Sequence, residues 1–245
     1  MDNGYPADYL TVTVSCPICR DTGYDGSRLC ACVKRRAAEI QKQDLSTLLP
    51  VDKETFSTFR LDYYSSQPDS RFGLSPRQMA QANLQRCRSF AEHFGSSYEN
   101  LLLYGSAGLG KTFLSSCIAR TVTERGFSVT YDTAISIFDQ YNAVKFRTGD
   151  PAAAAHAVER FRSADLLIVD DLGTEMPSSF HTSCLYDLIS RRLMSRKPTI
   201  LSTNLLPAEL ENRYSQAIAS RILGEFTQLR FIGSDIRRIR KQQRL

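Results

Sequence analysis

The chain has 245 residues, 42% hydrophobic and 23% charged, with a net charge of +5. That suffices for one full α/β domain with a small appendage, and leaves no room for the second motor domain or ring-forming collar of an autonomous helicase. No apolar run approaches the roughly 20 residues of a membrane span, and the opening "MDNGYPADYLTVTV" lacks the basic-then-apolar layout of a secretory signal, so a cytoplasmic protein without membrane contact is expected.

Residues 1–48 hold four of the seven cysteines, Cys16, Cys19, Cys30 and Cys32, in the spacing C-x₂-C-x₁₀-C-x-C. In a reducing compartment such a cluster favours a metal over disulfides. Four thiolates so close together suit a tetrahedral, structural Zn²⁺ that supplies the folding energy of a segment too small for its own core. An Fe–S cluster and free thiols are the alternatives. A helix-like stretch, "CVKRRAAEIQKQDLSTLL", follows with the basic run Lys34, Arg35 and Arg36, which reads most simply as a solvated helix face, with a partner protein or DNA as the alternatives.

Residues 49–76, rich in Ser, Pro, Asp and aromatics, read as a connector with anchoring points. From 77 to 245 helices and strands alternate, as in a three-layer α/β domain with a parallel sheet. The pattern predicts helix 77–94, strand 100–104, helix 111–124, strand 128–131, helix 134–146 and helix 152–162. Strand 165–170, helix 179–195, strand 198–203 and short helices to about 224 follow, then a last strand and a basic end.

Between the first strand and its helix stands "GSAGLGKT": Gly105, Ser106, Ala107, Gly108, Leu109, Gly110, Lys111 and Thr112. It fits G-x-x-x-x-G-K-[ST] at every position, with the strand before and the helix after that a P-loop requires. The glycines let backbone N–H groups close on phosphates, and the helix start adds its positive dipole end. Lys111 is expected to reach the β- and γ-phosphates of ATP, and the Thr112 hydroxyl to ligate Mg²⁺.

Hydrolysis also needs carboxylates, and "DLLIVDDLG" ends a buried strand in two, Asp170 and Asp171. Ligands of open α/β sheets sit at that end of the strands. Asp170 is expected to hold Mg²⁺, directly or through water. Asp171, on the other side of a regular strand, is expected to orient or deprotonate the attacking water. A turn is the plain alternative for the pair. The next strand, "KPTILSTN", ends in a polar pair of which Asn204, with Thr203 as substitute, is the candidate sensor of the γ-phosphate. Phe59 and Tyr63 are candidates for the adenine by position alone. The closing "RRIRKQQRL" carries Arg237, Arg238, Arg240, Lys241 and Arg244 with no acid, which suits nucleic acid, an acidic partner or a solvated helix end.

Taken together, "NLLLYGSAGLGKT", "DLLIVDDLGTE", "TILSTN", "AIASRILGEF" and "GSDIRRIR" resemble the AAA+ helicase loaders of the DnaC/DnaI type and the related IstB transposition ATPases, over residues from about 50 to the end. "CPICRDTGYDGSRLCACVKRR" looks like the zinc segment that precedes the ATPase domain in many such loaders. The resemblance implies a P-loop NTPase of AAA+ type with a reduced or absent lid, in keeping with the short stretch 227–245. It places the arginine finger, which serves a neighbouring subunit, at Arg221, and the second sensor arginine at Arg237, with Arg238 as rival. It also implies an ATP-bound homo-oligomer, and a replicative hexameric helicase met by the amino-terminal segment. Single-stranded DNA is implied along the inserted helices, where Lys145 and Arg147 would meet phosphates and Tyr141 or Phe146 a base. One departure is Asp171, where AAA+ proteins at large carry Glu; its shorter reach argues for slow turnover.

The expected function is therefore ATP-dependent loading of the replicative helicase onto single-stranded DNA, by a Mg²⁺-dependent ATPase that is slow and oligomer-dependent. The alternatives are an IstB-like ATPase assisting a transposase, and a nucleotide-binding zinc adaptor without useful hydrolysis.

Overall fold

A computed structural model describes residues 14–242. Arg244 of the basic end, and the ends of the expected first and last segments, lie outside the described residues.

The amino-terminal part is a two-strand antiparallel hairpin, β1 (Tyr24–Asp25) and β2 (Arg28–Leu29), followed by α1 (Ala31–Leu48). Gly26 turns the hairpin in the left-handed region at φ 61°, where its missing side chain removes the penalty. The Asp21 carboxylate accepts the backbone N–H groups of Ser15 and Cys16, which folds the loop ahead of the hairpin. A single 3₁₀ turn, Leu61–Tyr63, interrupts the irregular stretch that leads to α2 (Pro76–Glu92). That helix starts on a capping box: Ser75 accepts from the N–H of Gln78, and the Gln78 side chain accepts from the N–H of Ser75.

The remainder alternates as β3 (Leu101–Tyr104), α3 (Lys111–Glu124), β4 (Val129–Thr133), α4 (Ala134–Phe146), α5 (Pro151–Ser163), β5 (Leu166–Leu172) and α6 (Ser179–Met194). Then come β6 (Thr199–Thr203), α7 (Pro207–Arg213), α8 (Gln216–Glu225), β7 (Thr227–Arg230) and α9 (Ile236–Gln242). The strands form one parallel sheet in the order β4-β5-β6-β3-β7. β6 thus lies between the strand that leads into the P-loop and the strand that ends in two acids.

Strand residues alternate between two cores. Leu102, Tyr104, Leu167, Val169 and Leu201 face α4, α5, α6, α7 and α8. Leu101, Leu103, Leu166, Ile168 and Ile200 face α2 and α3. Runs this apolar are what a parallel sheet covered on both faces requires. Leu45 and Leu49 of the α1 region, with Val51, enter the second core, so α1 is packed on the three-layer body. Gln41 Nε2 donates to Val129 O of β4, partly covering that sheet edge.

Arg192 is the largest fully buried side chain among the described residues. Its guanidinium donates to Thr199 Oγ1 and to the carbonyls of Phe161, Arg162, Ala164 and Pro198. It so satisfies carbonyls at the carboxyl end of α5 that have no partner within the helix. Among the described residues no helix is long and apolar enough to cross a membrane.

Candidate functional site

At the carboxyl ends of the strands lies a cleft of about 950 Å³. Its floor is the P-loop, from Ala107 to Thr112. Its walls are Asp171 and Asn204 from the sheet, the 53–64 stretch of the connector, and Ile236, Arg237 and Arg240 from α9.

The P-loop has no room for side chains at its turning points. A Cβ at Gly108, where φ is 75°, would collide with the Asp235 carboxylate; one at Gly110 would sit 2.8 Å from the Tyr64 hydroxyl. The neighbours that enforce this come from distant segments. Tyr64 donates to Leu109 O at 2.9 Å, and the N–H of Ile236 donates to Gly108 O at 2.9 Å. Connector and carboxyl-terminal helix therefore both rest on the loop.

Lys111 is buried, and its Nζ donates to Gly105 O (2.6 Å), Ser106 O (2.9 Å) and Asn204 Oδ1 (2.8 Å). Burial pulls its ammonium down to about 8, against the opposing pull of Asp171 and Asp170. Thr203, the substitute for Asn204, is committed elsewhere: its hydroxyl donates to Leu172 O and accepts from the N–H of Leu205.

Asp170 is 2% exposed. Its Oδ2 accepts from Thr112 Oγ1 at 2.9 Å and from the Tyr131 hydroxyl at 2.7 Å; its Oδ1 accepts from the Ser202 hydroxyl and from the N–H of Asp171 at 3.1 Å. The alternation assumed for the two acids does not hold. Val169 pairs with Leu201 and Leu172 with Thr203, so Asp170 and Asp171 together stand opposite Ser202. This is a β-bulge, and Asp171 adopts φ 53° within it, a backbone region Asp tolerates better than most residues. The bulge sets Asp171 on the cleft beside Lys111 and Asn204, while Asp170 stays beneath Thr112. Burial and the adjacent Asp170 push the Asp171 carboxyl up, with Lys111 and Arg237 opposing.

The expected arginines separate. Arg237 lines the cleft, Arg238 does not, and Arg240 joins it one turn further on. Arg221 lies outside the cleft, its guanidinium 4.7 Å over the ring of Tyr186 and donating to that hydroxyl at 2.7 Å. Phe59 and Tyr63 both line the cleft; Phe59 stacks on Tyr64 and meets Phe113 edge-on.

Of the nucleic-acid candidates, Tyr141 needs correction. It is buried in the core formed with Ile137, Phe138 and Phe161, so its ring is no stacking platform. Phe146 is 61% exposed, and Lys145 Nζ lies 5.2 Å from its ring centroid and 3.8 Å from that of Phe180. Arg147 follows in the left-handed conformation that ends α4.

The four clustered cysteines converge, with all Sγ atoms within 4.8 Å of one another and none in a disulfide. Cys16 and Cys30 are 3.8 Å apart, Cys19 and Cys32 3.4 Å. A tetrahedron with Zn–S arms of about 2.3 Å has edges of about 3.8 Å, so the donor set fits zinc. Backbone N–H groups of Cys19 and Ile18 pull the Cys16 thiol down to about 7, while hydrogen bonds with Cys19 and Cys30 raise that of Cys32 to about 12.

Residues 69–243 match the IstB-like ATP binding protein family. The chain belongs to that family. This IstB-like chain is 25% identical to the replicative helicase loader DnaC of Escherichia coli over 141 residues, 57% of this chain and 56% of the loader. It thus spans about half the length of that relative. Its fold is that of a solved DnaC helicase loader structure, with TM-score 0.57 at 20% identity over 72% of this chain and 98% of the other. A replication initiator DnaA bound to AMPPCP and single-stranded DNA gives TM-score 0.58 at 19% identity, over 78% of this chain and 55% of the other.

Three residues of this IstB-like site, Tyr131 and Ser202 on Asp170 and Tyr64 on the P-loop, carry no sequence signal, and Arg240 lines the cleft although the basic end suggested other partners. Each depends on which strands or segments are neighbours, which no local motif encodes.

Proposed function

We propose that this chain is an ATP-dependent loader of a replicative hexameric helicase, acting in the cytoplasm as an ATP-bound homo-oligomer on single-stranded DNA. The observation that carries the nucleotide part is the convergence of Lys111, Thr112, Asp171 and Asn204 on one cleft end, from α3, β5 and the residue after β6, with Asp170 bonded beneath Thr112. Family membership and the likeness to DnaC support the replication role.

In this reading Gly105 to Thr112 wrap the phosphates, and Lys111 exchanges carbonyl partners for β- and γ-oxygens. Thr112, with Asp170 behind it, would hold Mg²⁺, which would supply positive charge beside the phosphates. Asp171 orients or deprotonates the attacking water, and Asn204 senses the γ-phosphate. Arg237 acts within the subunit. Arg221, on α8 and outside its own cleft, serves the cleft of a neighbour. The connector stretch around Phe59 and Tyr63 receives the adenine. The segment 1–48, built on a Cys16, Cys19, Cys30 and Cys32 zinc site, docks on the helicase, the stretch 49–76 connects, and 77–245 is the ATPase. Lys145 and Arg147 meet DNA phosphates.

Retention of partners from a lysate of the parent cell, with and without ATP, tests the proposal. A replicative helicase retained by the parent chain is the expected result. A transposase retained in its place, with no helicase, overturns the loader reading in favour of an IstB-like transposition ATPase. Binding of nucleotide without turnover in the presence of DNA overturns it in favour of an adaptor.

A further inference from the structure

Asp170 has two carboxylate oxygens and about four acceptor positions. All four are taken. Thr112 and Tyr131 occupy Oδ2; Ser202 and the N–H of Asp171 occupy Oδ1. The donors arrive from three directions: Tyr131 from β4 on one flank of β5, Ser202 from β6 on the other, and Thr112 from α3. Thr112 and Asp171 line the cleft, whereas Asp170, Tyr131 and Ser202 do not.

This arrangement says how a cation in the cleft would meet Asp170. The Thr112 hydroxyl spends its proton on Asp170 and keeps its lone pairs for the cleft side. The carboxylate, clamped from both flanking strands, fixes the direction of that proton. Ligands whose own partners are held behind them bind metal more tightly than the same ligands left free to turn.

We propose, resting on the nucleotide reading above, that Tyr131 is a positioning residue that sets the Mg²⁺ requirement of the cleft by clamping Asp170 behind Thr112, with Ser202 as the opposite jaw. Tyr131 belongs to the α2–α3 side of the core, and phenylalanine fills the same space without the hydroxyl.

The test is nucleotide binding by the full chain, followed with a fluorescent ATP analogue, titrated with MgCl₂ and repeated in EDTA. In Tyr131→Phe the Mg²⁺ concentration at half-saturation should rise about tenfold, with affinity in EDTA held within about twofold. Ser202→Ala, which opens the other jaw, should move in the same direction and serves as the second variant. A Mg²⁺ requirement equal to or lower than the parent's overturns the assignment, and so does an equal loss in MgCl₂ and in EDTA, the mark of a merely structural role. No nucleotide uptake by the parent chain overturns the nucleotide reading itself, and the assignment with it.

Discussion

Asn204 Oδ1 accepts a 2.8 Å hydrogen bond from Lys111 Nζ, across 93 positions of sequence. The bond ties the end of β6 to the first residue of α3, and completes a set of three acceptors around a buried ammonium. It places the candidate sensor in direct touch with the candidate phosphate ligand.

The state of that ammonium gives a pH dependence. Burial lowers Lys111 from 10.5 to about 8, so the lysine begins to lose its proton as pH rises through 8. Phosphate oxygens beside it favour the charged form and raise its pKa in the complex. Binding a triphosphate therefore takes up a proton at alkaline pH, and affinity falls as pH climbs above 8. Calorimetry at about pH 8.5, in two buffers of different ionisation enthalpy, measures this uptake directly. Lys111→Arg should abolish it, because a guanidinium stays charged. Equal apparent enthalpies for the parent chain in both buffers would contradict the assignment.

The cysteine cluster forms a small packed group of its own, apart from the two cores of the sheet. Purified chain should carry one zinc by elemental analysis, and Cys30→Ser should lose it, since three thiolates leave a structural site incomplete. Chelation should leave nucleotide affinity within about twofold, because none of the four clustered cysteines touches the cleft. Loss of nucleotide binding together with the metal would show that the two sites are one cooperative unit.

Lys145 is braced against the Phe180 ring and Arg147 is exposed beside it. If both meet phosphates of a single strand, removing either should lessen the slope of log affinity against log salt by about 0.7. Fluorescence anisotropy of a labelled oligonucleotide at several salt concentrations reads this. Unchanged slopes in Lys145→Ala and Arg147→Ala would place the DNA elsewhere on the chain.

Much of this fold was legible, because its signals are local. The helix from Lys111 to Glu124 and the helix from Ala134 to Phe146 begin and end where apolar spacing and the P-loop lysine place them. The cleft was legible in the same way, since the P-loop and the acids at the end of β5 carry their own sequence signatures. Tyr141 was misread despite a clear pattern. Ala134, Ile137, Phe138 and Tyr141 fall on one helical stripe, and all four are buried.

Asp171 was misplaced for a different reason. Alternation along a strand assumes an even ladder, and the extra residue at Asp170–Asp171 shows only against Ser202 of the neighbouring strand. Tyr131 and Ser202 remained unseen because β4, β5 and β6 become neighbours only when the strand order is known. The α1 stretch read as part of a separate zinc segment, yet Leu45 and Leu49 pack in the same core as α3, a contact fixed by tertiary geometry alone.

If Arg221 of an adjoining chain completes each ATP site, mixing two inactive variants restores turnover. Lys111→Ala has a crippled cleft and an intact Arg221; Arg221→Ala has an intact cleft and no arginine to lend. Each alone should hydrolyse ATP at least about a hundredfold more slowly than the parent when DNA is present. Mixed in equal amounts, they should regain activity at about one joint in four, where a good cleft meets a good arginine. Parental turnover by Arg221→Ala alone, or a mixture as inactive as its parts, would contradict the account.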